Sequence, residues 1–135
     1  GDGNLLDVLK QKSKIEKRIK VYGRLDHDET LKMLKRSDVL IHPSYSDVMP
    51  LSILEAMMVG NAIIATDIGE IKKNVGNAGI IIKPGNKNSL ERAVLDMLNK
   101  NIDIYKKNAV KNFLKYSKEN VYSRNLEVIK DVLVG

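Results

Sequence analysis

Four short apolar runs punctuate the chain, at residues 19–23, 39–43, 62–66 and 79–83, each rich in branched side chains and bounded by Gly, Pro, Asn or Asp. Runs of this length and composition read as strands buried on both faces. Helical periodicity fills the intervals, over 5–14, 28–36, 51–59, 89–99, 104–116 and 120–133. In the second of these, Leu31, Leu34 and Met33 fall on the inner face and Asp28 stands as the cap. In 89–99 the inner stripe is Leu90, Ala93, Val94, Met97 and Leu98. Unbroken apolar strands alternating with amphipathic helices predict an α/β fold, a mostly parallel sheet of about four strands with helices on both faces. There is no internal repeat, low-complexity linker or visible second domain, so 1–135 reads as one domain.

Composition narrows the chemistry. The chain has 135 residues, of which 43% are hydrophobic, enough to bury roughly two-thirds of its unfolded surface. It has no cysteine, which excludes a disulfide framework, a thiolate zinc site and a cysteine nucleophile. His27 and His42 lack the spacing of metal ligands, so no metal is expected. No apolar stretch approaches the roughly 20 residues of a membrane span, and no signal-peptide pattern is present. The sequence begins at Gly1 rather than Met, which suggests a processed product or a fragment.

The net charge of +6 is unevenly spread. Residues 1–20 carry six Lys or Arg against three Asp or Glu, 21–99 carry nine against ten, and 100–135 carry eight against four. The middle is therefore neutral and the ends are basic. The aromatics are scattered, with no interleaving of cations and stacking rings, so nucleic acid is not an expected partner. The lysines of 10–20 and 100–118 read as solvated helix faces. The alternative is peripheral attraction to anionic lipid headgroups, at about 1 kcal/mol per cation.

In open parallel sheets, ligands bind beyond the carboxyl ends of strands. There, residues 41–57 run from a strand end through a polar loop and Pro50 into a helix. Pro50 suits the first helical turn, where its missing N–H has no intrahelical partner. The N–H groups of Leu51 and Ser52 then open the helix, and the dipole there favours an anion such as a phosphate. Glu55 lies roughly 6 Å further along the axis, about the step from a diphosphate to its ribose, and can accept two hydrogen bonds from ribose hydroxyls. Asp47 can do the same for a sugar hydroxyl beyond the phosphates. Structural readings stand beside these: Asp47 as a helix cap and Glu55 as an ordinary early-turn acid. A paired-carboxylate hydrolase fits less well, because a neutral glycoside would not use the anion site. Gly1-Asp2-Gly3 lacks the preceding strand of a dinucleotide fingerprint, and His42, ending an apolar strand, reads as a satisfied buried histidine.

Asp47, seven residues, then Glu55-Ala56-Met57, with Pro43-Ser44 before and Gly60-Asn61-Ala62-Ile63-Ile64-Ala65-Thr66 after, resembles the donor-site signature of group 1 retaining glycosyltransferases of the GT-B fold. The resemblance covers nearly the whole chain. Gly1-Asp2-Gly3 is similar to that family's glycine turn, Val21-Tyr22-Gly23-Arg24-Leu25 to a strand and base-contacting loop, and residues 79–85 to its last strand and Pro-Gly turn. Tyr116-Ser117-Lys118-Glu119-Asn120 resembles the start of its terminal helix, at 119–134.

The resemblance implies a Rossmann-like, partial C-terminal donor-binding domain, incomplete relative to the family's six strands. In the doubly wound order 3-2-1-4-5-6, the two absent strands would separate the first run of this chain from the other three. An Arg and a Lys that clamp the diphosphate, and the N-terminal acceptor domain, would also be missing, leaving the piece inactive alone. It further implies Asp47 and Glu55 as the catalytic carboxylates, Glu55 on the ribose and Asp47 on the donor sugar. The diphosphate would meet the backbone of Pro50, Leu51 and Ser52, and the base that of Arg24 and Leu25. The implied reaction is sugar transfer from a nucleotide-diphosphate sugar with retention of configuration, without metal or other cofactor, in the cytoplasm or at a membrane periphery. A sugar-nucleotide epimerase of the same architecture and a non-catalytic nucleotide-binding module are the alternatives. Two departures stand out: Asp47 replaces the usual Glu and reaches about 1.5 Å less, one C–C bond, and Gly69-Glu70 with Lys73 replaces the usual Gly-Gly and later Glu.

Overall fold

Three of the four apolar runs pair into a parallel sheet: β1 (Val39–His42), β2 (Ala62–Thr66) and β3 (Gly79–Ile82), in the order β1-β2-β3. They appear in a computed structural model that describes residues 1–47 and 50–116. The expected helix over 120–133, and the terminal helix over 119–134, lie outside the described residues. The packing falls into two compact units, Gly1–Met33 and Leu34–Gly135.

The second unit holds the sheet. All five residues of β2 are buried, whereas the edge strand β1 leaves Ile41 44% exposed. Successive side chains of a strand point to opposite faces. Ala62 and Ile64 accordingly join Ile82, Ala93 and Met97 in one cluster, with Val39, Ile80, Leu90 and Val94 packed around it. Ala93 and Met97 come from α5 (Lys87–Asn99), where Asn86 caps the helix by accepting the Ser89 N–H at 2.9 Å. Ile63 and Ala65 point the other way. Against β2 also pack α3 (Leu51–Met58), which buries Ile53, Ala56 and Met57, α4 (Ile71–Val75), and α6 (Ile102–Phe113).

Side-chain amides tie the connections down. Asn112 of α6 donates to the Val75 carbonyl at 2.8 Å, and Asn108 to that of Asn77 at 3.0 Å, fastening α6 to the end of α4 and to the 3-10 turn Gly76–Ala78 that follows it. The buried Asn61 Nδ2 donates to the Leu34 carbonyl at 3.1 Å and also to that of Ser37. Gly79 is required by contact rather than by dihedral angle: a Cβ there would stand 1.9 Å from the Ile63 carbonyl oxygen across the ladder.

The first unit contains α1 (Leu6–Ile15), none of whose residues is buried, and the apolar run 19–23. That run, expected as a fourth strand, pairs with no described segment, and Ile19 and Tyr22 are exposed. An apolar run signals a tendency, but a strand also needs a ladder partner for its N–H and C=O groups. Among the described residues the expected four strands are therefore three, adjacent in the order of the chain. A cavity of about 600 Å³ is lined by Leu5, Leu6, Leu9, Ile19, Val21 and Leu25 among others.

Helix α2 (His27–Lys35) runs across the division between the units. Its expected cap, Asp28, lies inside the first turn. Asp26 takes the role instead: its Oδ1 accepts the Glu29 N–H at 2.7 Å while Glu29 Oε2 accepts the Asp26 N–H at 3.2 Å. This is a reciprocal capping box, which satisfies two backbone donors with two short side chains. Among the described residues, no helix is long and apolar enough to cross a membrane.

Candidate functional site

The carboxyl end of β1 delivers the chain into the polar loop that precedes α3. Register pairs Leu40 with Ile63 and His42 with Ala65, so His42 shares the face of Ile63 and Ala65 rather than that of Ile64. Its imidazole lies between two partners. Ser52 in the first turn of α3 brings Oγ to 3.5 Å from Nδ1, and Asp47 Oδ2 lies 3.7 Å from Nε2. The His42 and Asp47 side chains are 21% and 32% exposed.

His42 differs from its sequence reading. Expected as a satisfied buried histidine, it has a buried Nε2 without a hydrogen-bond partner, because Asp47 approaches to ion-pair range but stops short of hydrogen-bond distance.

The loop itself is anchored at its start. Thr66, buried at the end of β2, donates its hydroxyl to the Ser44 carbonyl at 2.7 Å, and Ser44 Oγ donates to the Ser46 carbonyl at 3.1 Å. The Tyr45 ring lies against Gly85, where φ is +70° and a Cβ would come within 3.2 Å of the ring. A smaller cavity of about 170 Å³ is lined by Tyr45, Thr66, Lys83, Asn86 and Lys87 among others.

Helix α3 begins without a side-chain cap. Pro50 is its N-cap residue, with φ −69° and ψ 129°, and the Pro50 carbonyl accepts the Ile53 N–H at 3.1 Å. Pro50 thus sits one position before the first turn in which it was expected, and Leu51 opens the helix. Asp47 does not cap α3; its carboxylate turns to His42 instead. The open helix end retains the partial positive charge of its N–H groups, which suits an anion. Glu55 follows Ser52 by three positions, on the same side of the helix, and is half-buried.

The second unit therefore gathers Asp47, Pro50, Leu51, Ser52 and Glu55 around the start of one helix and adds His42 and Thr66. Arg24 and Leu25 belong to the first unit. There the Arg24 side chain, 83% exposed, reaches Asp2 at 3.7 Å, and Leu25 lines the larger cavity. Sequence reasoning missed Thr66 and the Ser52 hydroxyl as loop and histidine partners. The available signal was position: a polar residue closing an all-apolar strand, and another in the turn after Pro50. Among the described residues, no group of three or more His, Cys, Asp or Glu side chains is gathered to hold a metal ion.

Comparison with known proteins places this arrangement. Residues 1–119 match the family described as "Glycosyl transferases group 1". A Bacillus subtilis protein named as a teichuronic acid biosynthesis glycosyltransferase is 30% identical over 95 residues, covering 70% of this chain and 23% of that protein. The sucrose-phosphate synthase of Thermosynechococcus elongatus superposes with a TM-score of 0.77 at 21% identity, over 96% of this chain and 34% of that one. The pneumococcal O-GlcNAc transferase, solved with UDP and GlcNAc, superposes with a TM-score of 0.72 at 15% identity, over 98% of this chain and 28% of that one. The chain thus spans about a quarter to a third of these proteins. With a family match over nearly its whole length, the chain belongs to the group 1 glycosyl transferases.

Proposed function

We propose that this chain supplies the donor site for transfer of a sugar from a nucleotide-diphosphate sugar, with retention of anomeric configuration. The carrying observation is the uncapped N-terminus of α3, with Asp47 before it and Glu55 one turn inside. The diphosphate would lie against the N–H groups of Leu51 and Ser52 beyond Pro50. As the glycosidic bond breaks, negative charge grows on the leaving diphosphate, and fixed N–H dipoles there stabilise it without reorganising. Glu55 would accept hydrogen bonds from the ribose hydroxyls, and Asp47 from a hydroxyl of the donor sugar. Such contacts orient the anomeric carbon toward the acceptor, which lowers the entropic part of the barrier. Arg24 and Leu25 are assigned to the base on the family resemblance. The pneumococcal relative, solved with UDP, supports a nucleoside diphosphate as the ligand class.

The test is a thermal-shift and calorimetric panel of UDP, GDP, ADP and TDP on the purified protein. One nucleotide is expected to stabilise it, and Glu55→Ala to weaken that binding about 10- to 100-fold, the loss of charge-assisted hydrogen bonds. Binding that ignores Glu55→Ala overturns the site.

A further inference from the structure

We propose that His42 is a positioning residue, whose imidazole takes a hydrogen bond from Ser52 at Nδ1 and offers Nε2–H to Asp47, fixing that carboxylate for the donor sugar. The inference rests on the donor-site reading and adds to it the group that aims one of its carboxylates.

Geometry and valence carry it together. A neutral imidazole has one ring nitrogen that donates and one that accepts. The Ser52 hydroxyl stands 3.5 Å from Nδ1 and its hydrogen is free to rotate toward the ring. With Nδ1 accepting, Nε2 carries the hydrogen, and that atom is buried with no hydrogen-bond partner. A buried donor without an acceptor is costly, and the carboxylate 3.7 Å away can relieve the cost. Closing that gap to an ordinary hydrogen bond takes about 0.8 Å. The loop is built to allow it, because its anchor, Thr66 on the Ser44 carbonyl, lies three residues before Asp47.

His42 is also the rigid member of the set. It ends a strand whose ladder pairs it with Ala65, whereas Asp47 lies on the loop. A carboxylate tied to the sheet through an imidazole keeps one oxygen toward the histidine and leaves the other for a sugar hydroxyl.

The experiment pairs each nucleotide diphosphate with its sugar adduct: UDP with UDP-glucose, GDP with GDP-mannose, ADP with ADP-glucose and TDP with TDP-glucose. Wild-type protein should bind the adduct of the preferred nucleotide more tightly than the nucleotide alone. His42→Phe should remove that sugar contribution, a 5- to 20-fold loss, while nucleotide binding stays within twofold. Asp47→Ala should cause the same loss, and the double variant no more. Gln places an amide nitrogen near the position of Nε2 and Asn near that of Nδ1, so His42→Gln should restore the preference and His42→Asn should not. If the Phe variant does not fold, the Gln and Asn variants carry the test. Imidazole nitrogen NMR at pH 8 supplies an independent readout: the Nε2-protonated tautomer is expected, and any other protonation pattern overturns the proposal. A wild-type protein that gains nothing from any of the sugars also overturns it, as does a sugar preference that the His42 variants leave intact. Indifference of nucleotide binding to Glu55→Ala identifies failure of the donor-site reading; a normal Glu55 response with unaffected His42 variants identifies failure of the positioning role alone.

Discussion

Helix α1 buries none of its ten residues, whereas β2 buries all five. Both segments carry an apolar pattern clear enough to predict the element from sequence. In β2 the pattern meets surfaces on both sides, a cluster from α5 on one and helices α3, α4 and α6 also packed against the strand. In α1, Leu9 lines an apolar cavity and remains 46% exposed, and Val8 and Ile15 are exposed as well. A hydrophobic period therefore tells which face of an element would be buried. Whether it is buried depends on a second surface, which the element cannot supply for itself.

The comparison breaks first at the β2–β3 ladder. Gly79→Ala places a carbon 1.9 Å from a backbone oxygen that cannot move without parting the strands. A loss of about 3 kcal/mol or more is expected by denaturant unfolding, with fast hydrogen exchange along β2. Next is a matched pair of truncations. Ile64→Ala, in a site 1% exposed, should cost about 2–5 kcal/mol, and Leu9→Ala less than about 1 kcal/mol. Equal effects would show that Leu9 is packed against a second surface, and so would break the contrast between α1 and β2. Thr66→Val is smaller, about 1–2 kcal/mol, since it leaves the part-buried Ser44 carbonyl without its donor. It should also weaken sugar-nucleotide binding more than His42→Gln does, because the whole loop loses its anchor.

The smallest effect lies in the first unit. The Arg18 guanidinium, with a further hydrogen bond from the Arg18 N–H, lowers the Glu16 carboxyl to about 2. A depressed carboxyl stabilises the folded form above its unfolded value, and that contribution is lost as pH falls through the folded one. NMR titration should place the Glu16 midpoint near 2 and return it to the ordinary carboxylate range in Arg18→Gln, with almost no change in stability at neutral pH.

The paired strands were legible because each is a short branched run closed by a turn residue, and 62–66 matches β2 at both ends. Helix α4, with five residues, is too short to show a period. The cap of α2 was misplaced by two residues because Asp26 and Asp28 are equivalent as sequence; only the reciprocal bond with Glu29 distinguishes them. Asp47, Glu55 and the Pro50 turn stood out in one loop and the helix after it, where spacing along the chain already fixes spacing in space.

The amino-acid sequence by itself determined the alternation of strands and helices, the family, and the loop and helix start that carry the carboxylates, since all three are written in local periodicity and short-range spacing. Tertiary structure decided that run 19–23 pairs with no described segment, that β2 is the covered strand, and that His42 stands between Ser52 and Asp47. Those outcomes depend on ladder partners, facing surfaces and the register of β1 against β2, which no segment encodes alone.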